Sequence, residues 1–227
     1  MEPLLLLHGA IGSSAQMMPV AELLRLNYKV YTLNFAGHGG SQLPDAPLSI
    51  ELFASEVLRF MNAEGLNKIS IFGYSMGGYV GMYLAKNHPD KINRLITLAT
   101  KYKWDEAVAA NEVKKLNPEK TELKVPAFAE SLSRLHAPAD WKMLMLKTAD
   151  MMTELGRNNP LKPTDYAELN LPVLLMLGDR DKMVTMEETV AVYQSLPHAR
   201  LAILPGTSHP IEQADAETVA YLVRKFF

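Results

Sequence analysis

The segment from Leu66 to His88 constrains this chain most, because it predicts a strand, a tight turn and a helix with no spacer between them. Residues 67–72 alternate as a strand, and apolar residues recur at helical spacing over residues 79–85. The turn between them reads Gly73-Tyr74-Ser75-Met76-Gly77-Gly78. Glycines two before and two after the serine let strand and helix approach where side chains would clash. Such a turn holds the Ser75 hydroxyl at the exposed end of a sheet, beside free helix N–H groups, as a nucleophile requires.

Two other uses of glycine between a strand and a helix compete with this interpretation. In Gly73-x-Ser75-x-x-Gly78 a serine occupies the position where a dinucleotide pyrophosphate needs glycine for close approach. A phosphate-binding loop requires Gly-Lys-Ser or Gly-Lys-Thr, and neither occurs in the chain. The nucleophile interpretation is therefore favoured.

The composition is that of an ordinary globular protein. The chain has 227 residues, of which 48% are hydrophobic and 21% charged, enough for one large α/β domain or two small ones. The net charge is -2 without long basic or acidic runs, so neither nucleic acid nor an anionic membrane surface is an expected partner. The expected partner is a small-molecule substrate, and the oligomeric state stays open.

The chain contains no cysteine, which excludes a thiol nucleophile, a disulfide framework and a cysteine-based zinc site. The apolar run Leu4–Leu7 is far shorter than the about 7–15 residues of a signal-peptide core. No stretch approaches the about 18 apolar residues of a membrane span. We therefore expect a soluble, cytoplasmic protein, and no motif calls for a metal or another cofactor.

Strands alternate with helices along most of the chain. The predicted strands are Leu4–Leu7, Lys29–Phe35, residues 67–72, Ile92–Ala99, Val173–Leu177 and Ala199–Leu204. The predicted helices include one that Ser13 or Ser14 would cap, then about Ser49–Glu64, Met186–Ser195 and Ile211–Phe227. This alternation predicts a mostly parallel sheet with helices on both faces. Ligands of such sheets bind at the carboxyl ends of the strands.

Residues 101–164 interrupt this alternation with helical segments that prolines separate. The clearest of these helices carries an apolar stripe that begins at Trp141, and it is expected to end at Gly156. We predict that residues 101–164 form a helical lid over the active site, inserted after the Ile92–Ala99 strand. The core would then consist of residues 1–100 and 165–227. The alternative is an extra helical layer that packs on the core and contacts no substrate.

A serine nucleophile needs a neighbouring base, and the base needs an acid that orients it. In proteins with this turn the chain order is serine, acid, histidine. Of six histidines, only His198 and His209 follow the last plausible acid. His209 comes after the final strand, at the same sheet edge as Ser75, whereas His198 precedes that strand. His209 is therefore the predicted base, and His198 is expected on the surface.

Three aspartates are candidates for the acid. Asp179 and Asp181 lie in the loop that leaves the Val173–Leu177 strand, and Asp105 follows the Ile92–Ala99 strand. Asp179 could instead brace its turn through hydrogen bonds to nearby backbone N–H groups. The loop sequence alone leaves these candidates open.

Negative charge that develops on a substrate carbonyl needs preorganised N–H donors. One donor is expected from the residue after the nucleophile, Met76, and the other from the loop after the first strand, where His8-Gly9 precedes Ala10. His8 is then a loop residue hydrogen-bonded within its turn. The glycines of Gly37–Gly40 are expected to allow positive φ in a structural turn.

Five stretches resemble the α/β-hydrolase superfamily, in family order along almost the whole chain. They are residues 7–10, 35–41 and 73–78, Pro172–Asp181 and Gly206–Pro210. The resemblance implies an α/β-hydrolase fold with a triad of Ser75, Asp181 and His209, because the family's acid is normally the aspartate three residues after the loop glycine. It also implies that Ala10, the residue after His-Gly, donates the second oxyanion N–H.

Three features depart from the family pattern. The family usually opens with an antiparallel hairpin, but only Met1-Glu2-Pro3 precedes the first matched strand here, so we expect a sheet that is short at one edge. Asn34 stands near a position where relatives often carry aspartate. The serine turn is similar to that of menaquinone-pathway lyases of this fold, but Tyr79 stands where those carry arginine, which weakens that reading.

We expect a serine hydrolase that cleaves an ester or thioester of a small, largely apolar compound through an acyl-enzyme on Ser75. The same triad also serves carbon–carbon bond hydrolases and lyases, which are the alternative enzymes. A third possibility is a ligand-binding protein that reuses the fold without catalysis.

Overall fold

A six-stranded sheet organises the protein in the computed structural model, which describes all 227 residues. Its strands are β1 (Pro3–Leu7), β2 (Lys29–Leu33), β3 (Ile69–Tyr74), β4 (Ile92–Leu98), β5 (Val173–Gly178) and β6 (Ala199–Leu204). All neighbouring strands are parallel, in the spatial order β2-β1-β3-β4-β5-β6. The strand order reverses between β1 and β3, and a crevice at the carboxyl ends of those two strands is where such sheets bind ligands.

Nine α-helices surround the sheet. They are α1 (Met18–Leu24), α2 (Ile50–Ala63), α3 (Met76–Asn87), α4 (Glu106–Val113), α5 (Pro118–Lys124), α6 (Pro126–His136), α7 (Trp141–Arg157), α8 (Met186–Ser195) and α9 (Ala216–Phe226). Helices α1 and α9 share one hydrophobic cluster with the sheet, and α2, α3 and α8 share the other. The predicted parallel sheet with helices on both faces is confirmed.

Strand β1 shows why the apolar runs become central strands. Leu4 and Leu6 belong to the cluster with α1 and α9, whereas Leu5 and Leu7 belong to the cluster on the other face. All four side chains are fully buried. A strand buried on both faces must be apolar at every position, which is why this stretch shows no alternation with polar residues.

Several predicted boundaries differ from the structure at the ends of elements. Strand β2 stops at Leu33, two residues before the predicted end. The predicted final helix is divided into a 3-10 turn, Ile211–Gln213, and α9, because the Asp215 carboxylate accepts a hydrogen bond from the Thr218 N–H and starts a new helix there. Ser13 caps a short 3-10 helix, and α1 follows it directly.

Gly156 does not end helix α7, which continues to Arg157. A Cβ atom at position 156 would lie 2.5 Å from the Cβ of Ala109 and 2.9 Å from the Asp105 carbonyl oxygen. Both partners belong to α4 or its N-cap. The glycine therefore serves the close packing of α7 against α4, and the expectation that it stops the helix is wrong.

The segment between β4 and β5, residues 101–164, carries α4 to α7 and is called the insertion below. Leu144, Met151 and Leu155 of α7 pack into the core cluster of the sheet. Further out, residues of α6 and α7 form a satellite cluster of their own. The insertion is therefore anchored to the core through α7, and its action as a lid stays a prediction. No helix in the structure has the length and apolar character needed to cross a bilayer.

We expect Gly156→Ala to destabilise the protein by about 1–3 kcal/mol, because the added methyl group overpacks the contact between α7 and α4. Alanine's better helix propensity offsets at most about 1 kcal/mol of that cost. Urea unfolding measures the change. Met143→Ala, at an exposed position of the same helix, is the control. A Gly156→Ala protein at least as stable as the wild type would contradict the packing argument.

Candidate active site

Ser75 lies in the turn between β3 and α3 with a strained backbone, at φ +50° and ψ -115°. A Cβ atom at Gly73 would lie 2.4 Å from the carbonyl group of Gly77. A Cβ atom at Gly77 would lie 2.4 Å from the carbonyl oxygen of Leu7 in β1. Both glycines are therefore required for the helix to pack against β3 and β1, as the sequence predicts, and this packing projects the serine above the sheet.

The structure brings Ser75, His209 and Asp181 together in one hydrogen-bonded chain. The Ser75 Oγ lies 3.3 Å from the Nε2 of His209. The Nδ1 of His209 lies 2.8 Å from the Oδ2 of Asp181. The three residues follow β3, β6 and β5, so the parallel sheet delivers them to the same edge. Since a carboxylate only accepts, Nδ1 donates to Asp181, and Nε2 is left to accept the serine proton.

The side chain of Asp181 is buried, and its environment keeps the carboxyl group charged. Its Oδ1 accepts hydrogen bonds from the backbone N–H groups of Met183 at 2.7 Å and Val184 at 2.9 Å. Burial alone raises the pKa of this carboxyl, but the hydrogen bond from His209 and those two N–H groups outweigh it and hold the pKa below its usual value. A carboxylate is therefore present to hold His209 in one tautomer and orientation.

The other candidate residues lie elsewhere. The Asp105 carboxylate caps α4 by accepting a hydrogen bond from the Val108 N–H at 2.8 Å. The Asp179 carboxylate lies 3.8 Å from the Arg180 side chain and contacts no histidine. His198 is exposed, at the start of β6 and away from Ser75. Among the three aspartates only Asp181 reaches His209.

Two backbone N–H groups near Ser75 are free to bind an anion. The N–H of Ala10 donates no hydrogen bond within the protein. Met76 is the first residue of α3, so its N–H has no carbonyl of an earlier helical turn to bond. Ala10, Met76 and Ser75 line one cavity. The loop after β1 comes very close, since a Cβ atom at Gly9 would lie 3.3 Å from the Ser75 Cβ.

The Gly37–Gly40 turn supports that loop, with positive φ at Gly37, Gly39 and Gly40, as expected for a structural turn. Asn34 bridges the two segments, because its Oδ1 accepts from the Ser14 N–H at 2.7 Å and its Nδ2 donates to the Gly39 carbonyl at 3.1 Å. An aspartate could not make the second bond. The departure from the family pattern at position 34 therefore has a structural reason, because only an amide makes both hydrogen bonds.

Two buried histidines tie β1 and the glycine turn together. The Nδ1 of His8 donates to the Gly9 carbonyl at 2.8 Å, the bond within the turn that the sequence predicts, and its Nε2 accepts from the Phe35 N–H at 3.2 Å. His38 donates from Nδ1 to the Ala36 carbonyl at 2.9 Å. Burial lowers the pKa of His8 to about 4 and holds the pKa of His38 well below its usual value. Both rings are therefore neutral at pH 7.

Ser75 borders two cavities of unequal size. The larger one, 690 Å³, is also lined by His209 and by apolar side chains of α6, namely Phe128, Leu132 and Leu135. The smaller one, 40 Å³, lies under the insertion and is lined by Ile50, Tyr79, Trp104, Met151, Met152 and Leu155, among others. Periodicity did not assign these residues to a cavity, because a helical stripe that faces a cavity looks like one that faces the core. No group of three or more His, Cys, Asp or Glu side chains is arranged to hold a metal ion.

We expect the free energy of unfolding to fall as the pH drops below about 6.5, the ordinary histidine pKa. Between that pH and about 4, the unfolded chain takes up a proton at His8 that the folded protein does not, so acid favours unfolding. From His8 alone the loss between pH 7.5 and 5.5 is about 1.4 kcal/mol. Urea unfolding at both pH values measures it. His198→Gln, which removes an exposed histidine, is the control and should keep the dependence; a pH-independent wild type would contradict the burial argument.

Comparison with known proteins agrees with this architecture. The family model described as the alpha/beta hydrolase fold matches residues 2–118. RutD of Caulobacter segnis, provisionally named a carbamate hydrolase, is 27% identical over 96% of this chain and 88% of its own. Lipase 3 of a Moraxella species is 24% identical over 96% of this chain and 75% of its own. The crystal structure of an enol-lactonase from Burkholderia xenovorans superposes with a TM-score of 0.81 at 19% identity, over 99% of this chain and 90% of the other. The chain is an enzyme of the α/β hydrolase family.

Proposed function

We propose that the protein is a serine hydrolase that cleaves an ester or thioester whose acyl group is small and apolar. The observation that carries this proposal is the continuous hydrogen-bonded chain from Ser75 through His209 to the buried, charged Asp181. Each bond in that chain has the direction that a proton transfer from serine requires. A triad of this kind is unnecessary for ligand binding alone.

In the first half of the reaction, Nε2 of His209 takes the proton of the Ser75 hydroxyl as Oγ attacks the substrate carbonyl carbon. The carbonyl oxygen becomes an oxyanion, and the N–H groups of Ala10 and Met76 stabilise it. The tetrahedral intermediate then collapses, and the imidazolium gives its proton to the departing alcohol or thiol. Asp181 stabilises the imidazolium throughout without taking the proton itself.

In the second half, water replaces the departed group. His209 takes a proton from the water as its oxygen attacks the acyl-serine carbonyl, and the same two N–H groups hold the new oxyanion. Collapse breaks the bond to Ser75, whose Oγ recovers the proton from His209. The acid product leaves, and the enzyme returns to its starting state.

We infer the two sides of the substrate from the two cavities beside Ser75. The leaving group must lie next to His209, because His209 protonates it. His209 lines the 690 Å³ cavity but not the 40 Å³ cavity. The larger cavity is therefore the leaving-group side, and the smaller one, which contains both oxyanion residues, holds the acyl group.

The smaller cavity limits the acyl group to a short chain. Its 40 Å³ is room for about three water-sized groups at 10–15 Å³ each. The indole of Trp104 forms part of its wall and also lines a separate cavity of 390 Å³ beyond. The buried Trp104 Nε1 has no hydrogen-bond partner, so no polar contact fixes the indole in place. Trp104 is thus the side chain that closes the acyl cavity on that side.

We expect a fluorophosphonate probe to label the wild type stoichiometrically, and Ser75→Ala to abolish labelling and lower ester hydrolysis at least about 10³-fold. Mass spectrometry and turnover of p-nitrophenyl acetate measure the two effects. Ser208→Ala is the matched control, because Ser208 neighbours His209 in the chain but bonds to Gln213 instead of the triad. A folded wild type that is not labelled would overturn the proposal and point to a binding protein. Labelling without turnover of esters or thioesters would refute ester cleavage and point to carbon–carbon bond cleavage by the same triad.

We expect Trp104→Ala to join the acyl cavity to the 390 Å³ cavity and extend the accepted acyl chain. The ratio of kcat/KM for p-nitrophenyl octanoate to that for the acetate should rise about 10-fold or more, since each methylene accommodated in an apolar pocket is worth about 1–3 kcal/mol. Leu135→Ala, on the leaving-group side, is the control and should leave this ratio unchanged. An unchanged ratio in Trp104→Ala would show that the indole does not limit the acyl group.

A further inference from the structure

His136 connects the insertion to the loop that carries Ala10. It is the last residue of α6 and is fully buried. Its Nδ1 lies 3.1 Å from the backbone nitrogen of Gly39, and its Nε2 lies 3.1 Å from the carbonyl oxygen of Ile11. Since the Gly39 N–H can only donate, Nδ1 accepts, and Nε2 carries the hydrogen that it donates to Ile11. A side chain of the insertion therefore holds a backbone group one residue beyond Ala10.

The backbone held by His136 is strained. Ile11 has a φ of +49°, a conformation that a β-branched residue adopts only when the surrounding structure enforces it. Its N–H donates to the Nε2 of His38 at 3.2 Å. Its carbonyl accepts the bond from His136. Two imidazoles are thus hydrogen-bonded to the backbone of Ile11. His38, in the glycine turn of the core, binds its N–H, and His136, in the insertion, binds its carbonyl.

Three consecutive peptide groups of this loop are each held by a histidine. The carbonyl of Gly9, in the same peptide plane as the Ala10 N–H, accepts from His8. The next peptide group donates its Ile11 N–H to His38, and the one after presents the Ile11 carbonyl to His136. The Ala10 N–H belongs to the rigid Gly9–Ala10 peptide, whose carbonyl also accepts a hydrogen bond from the Gly12 N–H at 3.2 Å. The Gly12 N–H lies in the same peptide as the Ile11 carbonyl that His136 holds, so the two peptides are linked. Only the His136 bond comes from outside the core.

We propose that His136 is a positioning residue that fixes the direction of the Ala10 N–H, so that the oxyanion site is complete only while α6 is packed on the core. This inference rests on the proposed function, because it assigns His136 a part in that reaction through Ala10. His136 itself contacts no reacting atom. It acts through the backbone of Ile11.

Two further observations agree with this role. Burial lowers the pKa of His136, which keeps its ring neutral and its Nδ1 available as an acceptor for Gly39. The chain just after His136 lies against the glycine turn, since a Cβ atom at Gly40 would lie 3.1 Å from the carbonyl oxygen of Ala137. The end of α6 thus packs closely enough on the glycine turn for His136 to bond both Gly39 and Ile11.

Substitutions at position 136 test the inference by separating kcat from KM. His136→Leu fills a similar volume and removes both hydrogen bonds, so we expect kcat for p-nitrophenyl acetate to fall about 10- to 100-fold while KM changes less than about threefold. In His136→Gln the amide nitrogen reaches as far as Nε2, so this variant should recover kcat to within about fivefold of the wild type. His136→Asn is too short to reach Ile11 and should behave like the leucine variant.

Lys142→Ala is the control within the insertion, because it breaks the 2.6 Å ion pair with Glu122 without touching the loop, and it should leave kcat unchanged. A folded His136→Leu or His136→Asn protein with the kcat of the wild type would overturn the inference. A rise in KM alone would also overturn it, since that result means that His136 only shapes the cavity. If the leucine variant does not fold, the Gln and Asn variants still decide the matter by their ratio of kcat values. If the wild-type protein hydrolyses no ester or thioester, that result refutes the proposed function itself, which is distinct from a failure of the inference about His136.

Discussion

The close crossing of α3 over β1 and β3 is the constraint on which the rest of the structure depends. It exists because positions 73 and 77 have no Cβ atoms, and a methyl group at either would meet a backbone carbonyl at 2.4 Å. The crossing forces Ser75 to a φ of +50°, which costs about 1–3 kcal/mol and raises its hydroxyl above the sheet. It also aims the first N–H of α3 at the space beside that hydroxyl. The core on both faces of the sheet holds the strained turn in place.

A second strained residue, Ile11, lies in the loop after β1 and is held in a different way. The serine turn is enforced by packing, whereas the loop after β1 is enforced by hydrogen bonds with buried imidazoles. Burial keeps those rings neutral, so each presents one donor and one acceptor in fixed directions. The free N–H of Ala10 thus sits between peptide groups that have nearly no freedom to turn. Preorganised donors of this kind do not reorient when charge develops, which is the source of their effect.

The sequence predicts the sheet, the serine turn and the loops after the strands that carry the candidate site residues. It can do so because hydrophobic runs and glycine spacing are local signals. It could not decide among Asp179, Asp181 and Asp105 without a family resemblance, since the direction of a carboxylate depends on turn geometry that no spacing reveals. The sequence gives no sign of the role of His136, for a stronger reason. A single histidine at a helix end is ordinary in sequence, and its partner Ile11 lies 125 positions away. The prediction for Gly156 is wrong because, in a sequence, a glycine that serves helix contact looks the same as one that ends a helix.

The reversal of strand order between β1 and β3 has a consequence for how such an enzyme diversifies. Ala10 and Met76, the proposed oxyanion residues, follow neighbouring strands, whose separation of about 4.8 Å is a property of any β-sheet. The spacing of these two N–H groups thus depends on backbone pairing, whatever side chains surround them. Half of the residues that line the proposed acyl cavity come from the segment between β4 and β5, namely Lys101, Trp104, Met151, Met152 and Leu155. Substitutions in that segment would therefore alter the choice of substrate while leaving the proposed triad and its N–H donors in place.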